Sequence, residues 1–247
     1  EVPPGVDVDE FRPVPRAEAL AGLLDEARRD PPNPGNAEER LPDEGNAERL
    51  AAFLAGDAPT VLYFGKLILN KGVHLLLEAL RGVDARAVIV GFGDYRTELE
   101  AQAQAAGLGG RILFTGPLEH RHLRHLVPLC DVSVVPSIFP EAFGMVAAEA
   151  AAGGACPLVA RHSGLAEVAA GVEEEYPAGR RHLAAFANGD AADLQAKLAE
   201  LLALPHADRA ELQAAARRAV IARWSWAGIA QHLLDLSLPG TPGSARK

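Results

Sequence analysis

From Thr60 onward, short apolar runs alternate with segments whose hydrophobic positions recur at helical spacing. "TVLYF", "RAVIVG", "RILFTG", "DVSVVP" and "CPLVA" are rich in apolar and β-branched residues, and "RHLAAF" is a weaker sixth run of the same kind. Strands that are apolar throughout, not at alternate positions, are covered on both faces, which points to a parallel sheet. Between them, "GVHLLLEAL", "YRTELEAQAQAAG", "HRHLRHLVPL", "GMVAAEAAAGG" and "LAEVAAG" read as helices, and three more close the chain over 191–202, 207–222 and 225–236. The pattern predicts an α/β, doubly wound, Rossmann-like domain with a parallel six-stranded sheet. Ligands of such a domain sit at the carboxyl ends of the strands.

The first sixty residues follow another pattern. "EVPPGVDVDEFRPVP" is Pro-rich and aperiodic, as in an extended connection. "RAEALAGLLDEARR" places Leu20, Leu23 and Leu24 between charges and predicts a short amphipathic helix. "DPPNPGNAEERLPDEGN" reads as loop and "AERLAAFLAG" as a second short helix. The predicted organisation is a linker over 1–15, a helical and loop insert over 16–59, the sheet domain over 60–238 and a flexible tail over 239–247. No internal repeat is visible.

Composition narrows the classes of function. A chain of 247 residues with 49% hydrophobic content can bury one full-sized core. The formal charge of −9 argues against a nucleic-acid partner, since phosphate backbones are held by clustered Lys and Arg. No apolar run reaches the ~18–20 residues of a membrane helix, and no signal peptide is recognisable. Cys130 and Cys156 both lie in apolar surroundings, as expected of buried thiols in a reducing, cytoplasmic compartment. The chain starts at Glu1 and its one methionine is Met145, which suggests a fragment or a processed product.

Several stretches carry candidate chemistry. "GFGDYR" follows a strand and opens a helix, but Arg96 occupies the third glycine position of a dinucleotide fingerprint. A tight turn that needs Gly91 and Gly93 is the plainer reading, and a loop approaching another nucleotide ligand is the alternative. Asp7 and Asp9 have the spacing of a metal-binding carboxylate pair but lie in the Pro-rich leader, where a solvated turn is expected. His120, His122 and His125 read as exposed helix residues rather than zinc ligands. "FGKLILNKG" is more informative: Gly65 lets the backbone turn after a strand, and Lys66 and Lys71 then sit at the ligand-binding edge. "PEAFGMVAAEAAAGG" places Glu141 and Glu149 eight positions apart around the start of a helix, after a buried strand. A helix N-terminus presents free N–H groups and partial positive charge, so with two nearby lysines it can seat a diphosphate without a metal.

Six segments taken in order carry a resemblance: "VPPGVDVDEFRP", "YFGKLILNKGVHLLLEAL", "VIVGFGDYRTELE", "RILFTGPL", "CDVSVVPSIFPEAFGMVAAEAAAGGACPLVA" and "HSGLAEV". Together they resemble the C-terminal, donor-binding domain of family 4 glycosyltransferases of GT-B architecture, from residue 1 to about residue 170. The resemblance implies a retaining transferase that moves a sugar from a nucleotide diphosphate donor to an acceptor hydroxyl. It implies that Glu141 lies by the sugar ring, that Lys71 and Lys66 bind phosphate, and that these three carry the catalysis. Glu149 would accept hydrogen bonds from the ribose hydroxyls. Gly144, Met145 and Val146 would offer backbone N–H groups, Gly93 would lie near the donor and Leu118 beside the base. Gly65 and Phe143 complete the implied donor site. Two departures stand out: Lys66 replaces the usual arginine, and "HSGL" stands where a second glycine is common.

The same resemblance implies that an N-terminal, acceptor-binding domain is absent, so the chain alone would bind donor without transferring sugar. Any membrane contact would be peripheral, made through that missing domain and not by a transmembrane segment. No cofactor and no metal are expected beyond the nucleotide-sugar substrate. A non-catalytic nucleotide-binding domain and a GT-B-like nucleotide-sugar epimerase are the competing functions. Trp224 and Trp226, at the start of the closing helix, read first as core aromatics, with a docking face for the missing domain as the alternative.

Overall fold

The computed structural model describes residues 4–30 and 43–237. Its centre is a six-stranded sheet in the order β3-β2-β1-β4-β5-β6, parallel throughout. The strands are β1 (Thr60–Phe64), β2 (Arg86–Val90), β3 (Ile112–Gly116), β4 (Val132–Val135), β5 (Cys156–Ala160) and β6 (Ala185–Phe186). Every residue of all six is buried, which is why their sequences are apolar at successive positions. The sixth run is mostly not strand: Ala178–Ala184 forms 3-10 turns and only Ala185 and Phe186 pair with β5.

The chain first builds outward from β1 to β2 and β3, then returns to build β4, β5 and β6 on the other side of β1. Right-handed crossovers therefore place the two sets of helices on opposite faces. One layer holds α3 (Val73–Leu80) and α4 (Arg96–Ala105), with α8 (Ala191–Ala203) packed on α3. The other holds α5 (His120–Leu126), α6 (Met145–Gly153), α7 (Ser163–Glu175) and α9 (His206–Arg223). The buried face of α6 is almost entirely alanine, so its backbone lies close to β4, β5 and α9. Strand order reverses between β1 and β4, and the loops leaving those two strands diverge to opposite faces. A crevice opens there by topology alone.

Before the sheet, α1 (Arg16–Arg28) packs on α5 and on α2 (Asp43–Phe53), and buries Ala19, Leu23 and Ala27. The helix α2 begins inside the stretch expected to be loop, the rest of which lies mostly outside the described residues, as does the tail over 239–247. Buried Arg86 donates to the carbonyls of Phe53 (2.6 Å) and Ala55 (2.7 Å), satisfying acceptors that the end of α2 leaves open. The extended leader is also fixed: Val6 N–H donates to Trp224 C=O at 2.7 Å, and Arg217 donates to the carbonyls of Val8 and Phe11. Trp224 is core, and Trp226, on α10 (Trp226–Ser237), is 64% exposed.

His122 corrects the expectation of exposed histidines. It is 1% exposed because α1 lies over α5, and its two nitrogens are used. Nδ1 accepts from Glu119 N–H at 3.3 Å, and Nε2 lies 3.1 Å from Asp30 Oδ2. Asp7 and Asp9 form the expected turn, with Asp7 Oδ1 accepting the N–H groups of Asp9 and Glu10. Both cysteines are buried and unpaired, and burial pushes the Cys156 thiol up to about 12.

Candidate functional site

The crevice between the β1 and β4 loops is a cavity of about 640 Å³. The β1 loop contributes Gly65, Lys66 and Lys71, the last at the end of a single 3-10 turn, Leu69–Lys71. This loop is held near its turn by the Tyr63 hydroxyl, which donates to Lys66 C=O at 2.7 Å. The β4 loop contributes Ser137, Glu141 and Phe143 before α6 begins. The two loops are joined where Ile138 N–H donates to Asn70 C=O at 2.9 Å.

Inside the cavity, Lys71 Nζ stands 2.5 Å from Glu141 Oε1, and the Ser137 hydroxyl donates to the same oxygen at 2.7 Å. The Lys71 and Glu141 side chains are 30% and 21% exposed. Burial pushes the Glu141 carboxyl upward, but the hydrogen bonds from Lys71 and Ser137 and the charge of Lys71 outweigh it. The net shift is below the ordinary carboxylate value, so Glu141 is ionised at neutral pH. The preceding strand and loop deliver α6 with its N-terminus at the cavity wall, where Gly144, Met145 and Val146 line it. Gly144 at the N-cap has no side chain to satisfy the first-turn N–H groups; Ala147 N–H closes on Gly144 C=O at 2.9 Å, and the N–H groups of Met145 and Val146 face the cavity. Two ammonium groups and a helix N-terminus converge on one space beside the Glu141 and Glu167 side chains, and the ammonium groups with the helix N-terminus supply the donors an anion needs.

Eight of the residues expected at the site line this cavity: Gly65, Lys66, Lys71, Glu141, Phe143, Gly144, Met145 and Val146. Glu141 stands four positions before α6 in an irregular loop, and does not decorate the helix's first turn. Gly93, Leu118 and Glu149 are not among the lining residues. They stand at or behind the loops that leave β2 and β3. Gly93 packs against the β1 loop, Leu118 against the core, and Glu149 projects from the middle of α6 toward α5, 4.0 Å from His120 Nε2. Burial raises the Glu149 carboxyl above its ordinary value; His120 opposes that shift and Glu10 adds to it.

Three polar residues around Glu141 are absent from the expected set: Ser137, His162 and Ser163. Ser137 follows the end of β4 directly, a placement legible from strand position. His162 is the N-cap of α7 and Ser163 its first residue, where the departure "HSGL" was the one signal.

Comparison with known proteins places these features in context. The family model described as "Glycosyl transferases group 1" matches residues 46–219. A D-inositol 3-phosphate glycosyltransferase of Xylanimonas cellulosilytica is 36% identical over 173 residues, covering 68% of this chain and 36% of that protein. Among solved structures, sucrose-phosphate synthase of Thermosynechococcus elongatus superposes with TM-score 0.71 at 27% identity, covering 95% of this chain and 51% of that one. HepE of Anabaena, solved with UDP and glucose, shares the fold with TM-score 0.71 at 21% identity, over 95% of this chain and 55% of its own. The chain thus spans about a third of the curated relative and about half of each solved neighbour.

Proposed function

The chain belongs to the group 1 glycosyl transferases, and from that membership we propose that it is the donor-binding half of a retaining, GT-B, family 4 enzyme. The enzyme moves a sugar from a nucleotide diphosphate donor to an acceptor hydroxyl, and a second, N-terminal domain supplies the acceptor side of the cleft. One observation carries this reading: Lys66, Lys71 and the uncapped N-terminus of α6 face the same cavity as the ionised Glu141.

Cleaving the anomeric C–O bond builds positive charge on the sugar and negative charge on the departing diphosphate. Lys71 has three N–H donors and spends one on Glu141, so two remain for phosphate oxygens. With Lys66 and the first-turn N–H groups of α6, these stabilise the leaving diphosphate by charge already in place. Glu141, held at the other end of the same ammonium, stands by the sugar and eases its developing cation. Half of the required charge arrangement is thus present before substrate arrives. The acceptor must still be held in near-attack geometry by the other domain, a contribution of about 7–11 kcal/mol. The chain alone therefore binds donor and transfers nothing.

The test is calorimetric titration of the chain with a panel of nucleoside diphosphates and nucleotide sugars. Uridine compounds come first, given the fold shared with HepE. Saturable binding of at least one diphosphate and its sugar is expected, with no sugar transferred to added acceptors. Failure of every member of the panel to bind, or transfer by the chain alone, would overturn the assignment.

A further inference from the structure

The loop that carries Glu141 is gripped by three consecutive residues at the junction of β5 and α7. His162 Nε2 lies 2.6 Å from Ser137 C=O, so that nitrogen carries the proton and donates. Its Nδ1 is then an acceptor, and the Ser163 hydroxyl, 3.0 Å away, donates to it. The same hydroxyl accepts the Glu141 N–H at 2.9 Å. Gly164 N–H donates to Glu141 C=O at 3.0 Å, and a Cβ added at Gly164 would lie 2.4 Å from Phe143 Cα. Both ends of the loop from Ser137 to Glu141 are thus tied down, and the Ser137 hydroxyl in turn reaches the Glu141 carboxylate.

Backbone conformation shows what this grip costs. Ser163 has φ +44°, and among the described residues no other non-glycine residue has positive φ. Left-handed backbone is unfavourable for serine and undemanding for glycine. A glycine would occupy the turn with less strain but would lose both hydroxyl bonds. Strain retained beside a functional loop, where the retained group makes two specific hydrogen bonds, indicates that the bonds matter to the site.

We infer that His162 and Ser163 are positioning residues that set the Glu141 carboxylate against Lys71, and so set the chain's preference for a sugar-bearing donor over the bare nucleoside diphosphate. The inference rests on the donor-binding reading above. It adds that the preference is controlled from the junction of β5 and α7, by groups that reach the sugar only through Ser137 and Glu141.

Ser163→Gly separates positioning from stability. This variant should melt within a few degrees of wild type, because the relieved strain offsets the two lost hydroxyl bonds. Amide exchange at Glu141 should nevertheless accelerate about tenfold, because its acceptor is gone. Affinity for the nucleotide sugar should fall about five- to tenfold while that for the diphosphate holds. His162→Gln, which keeps a donor for Ser137 C=O, should recover more of the sugar preference than His162→Ala. Unchanged exchange at Glu141 in Ser163→Gly, or an unchanged ratio of sugar to diphosphate affinity, would overturn the inference. A wild-type chain that binds neither ligand would overturn the donor reading instead, and the exchange measurement would then decide the positioning role by itself.

Discussion

Replacing Lys71 by Met removes the ammonium at the centre of the cavity and keeps an aliphatic stem of similar length. In the free protein this leaves the Glu141 carboxylate, 21% exposed, with the Ser137 hydroxyl as its remaining side-chain donor. An exposed ion pair contributes under ~1 kcal/mol and breaking a fully buried one costs ~3–5 kcal/mol, so this partly exposed pair should account for about 1.5 kcal/mol. For a chain of this size that corresponds to a melting temperature lower by about 3–6 °C. The loss has a pH signature. Glu141 has a lowered carboxyl in the folded state, so its contribution is present above the unfolded carboxylate value and is lost as pH falls through the folded one. Wild type and Lys71→Met should differ in melting temperature at neutral pH, and the difference should shrink as pH falls through the folded carboxylate value. Ligand binding should suffer more, because the phosphate loses charge-assisted bonds of about 1.5–3 kcal/mol, a Kd weaker by about ten- to 150-fold. Scanning calorimetry across pH and titration with nucleoside diphosphate read both effects. Unchanged diphosphate affinity in Lys71→Met, and in the double variant with Lys66→Met, would refute the anion site.

Three further outcomes are expected. Glu149→Gln should weaken nucleoside diphosphate and nucleotide sugar alike by about 1.5–3 kcal/mol if Glu149 meets the ribose; titration showing no change would leave it merely a neighbour of His120. Gly93→Ala should destabilise the fold by about 1–3 kcal/mol, since φ is +154° and the added Cβ would lie 2.2 Å from Leu67 C=O. Gly179→Ala, where nothing lies within 4 Å of the new Cβ, is the control, and equal melting temperatures for the two variants would contradict this account. Donor binding should persist in excess chelator, because the lysines and the α6 terminus supply the positive charge; affinity that collapses with EDTA and returns with manganese would contradict that.

What the sequence made legible follows from how far each feature reaches along the chain. β1 to β5 were readable because burial on both faces writes itself into runs of four or five adjacent, mostly apolar residues, whereas β6, with two paired residues, leaves almost no local record. Lys66, Lys71 and Glu141 were readable because the carboxyl edge of a parallel sheet is a consequence of strand order, and position in a strand-to-helix loop is local information. The pairing of Lys71 with Glu141 is different: 70 residues separate them, and they meet only because strand order reverses between β1 and β4. His122 resembled any histidine on a polar helix until α1 covered it and Asp30 took its proton donor. Ser163 is the sharpest case. Residue type argues against its backbone conformation, so reasoning from propensity assigns it nothing, and only the contacts with Glu141 and His162 explain why serine stands there. Local patterns thus encode where the cavity is and what charge it holds. The orientation of its carboxylate depends on segments after three strands closing together, and no local pattern records that closure.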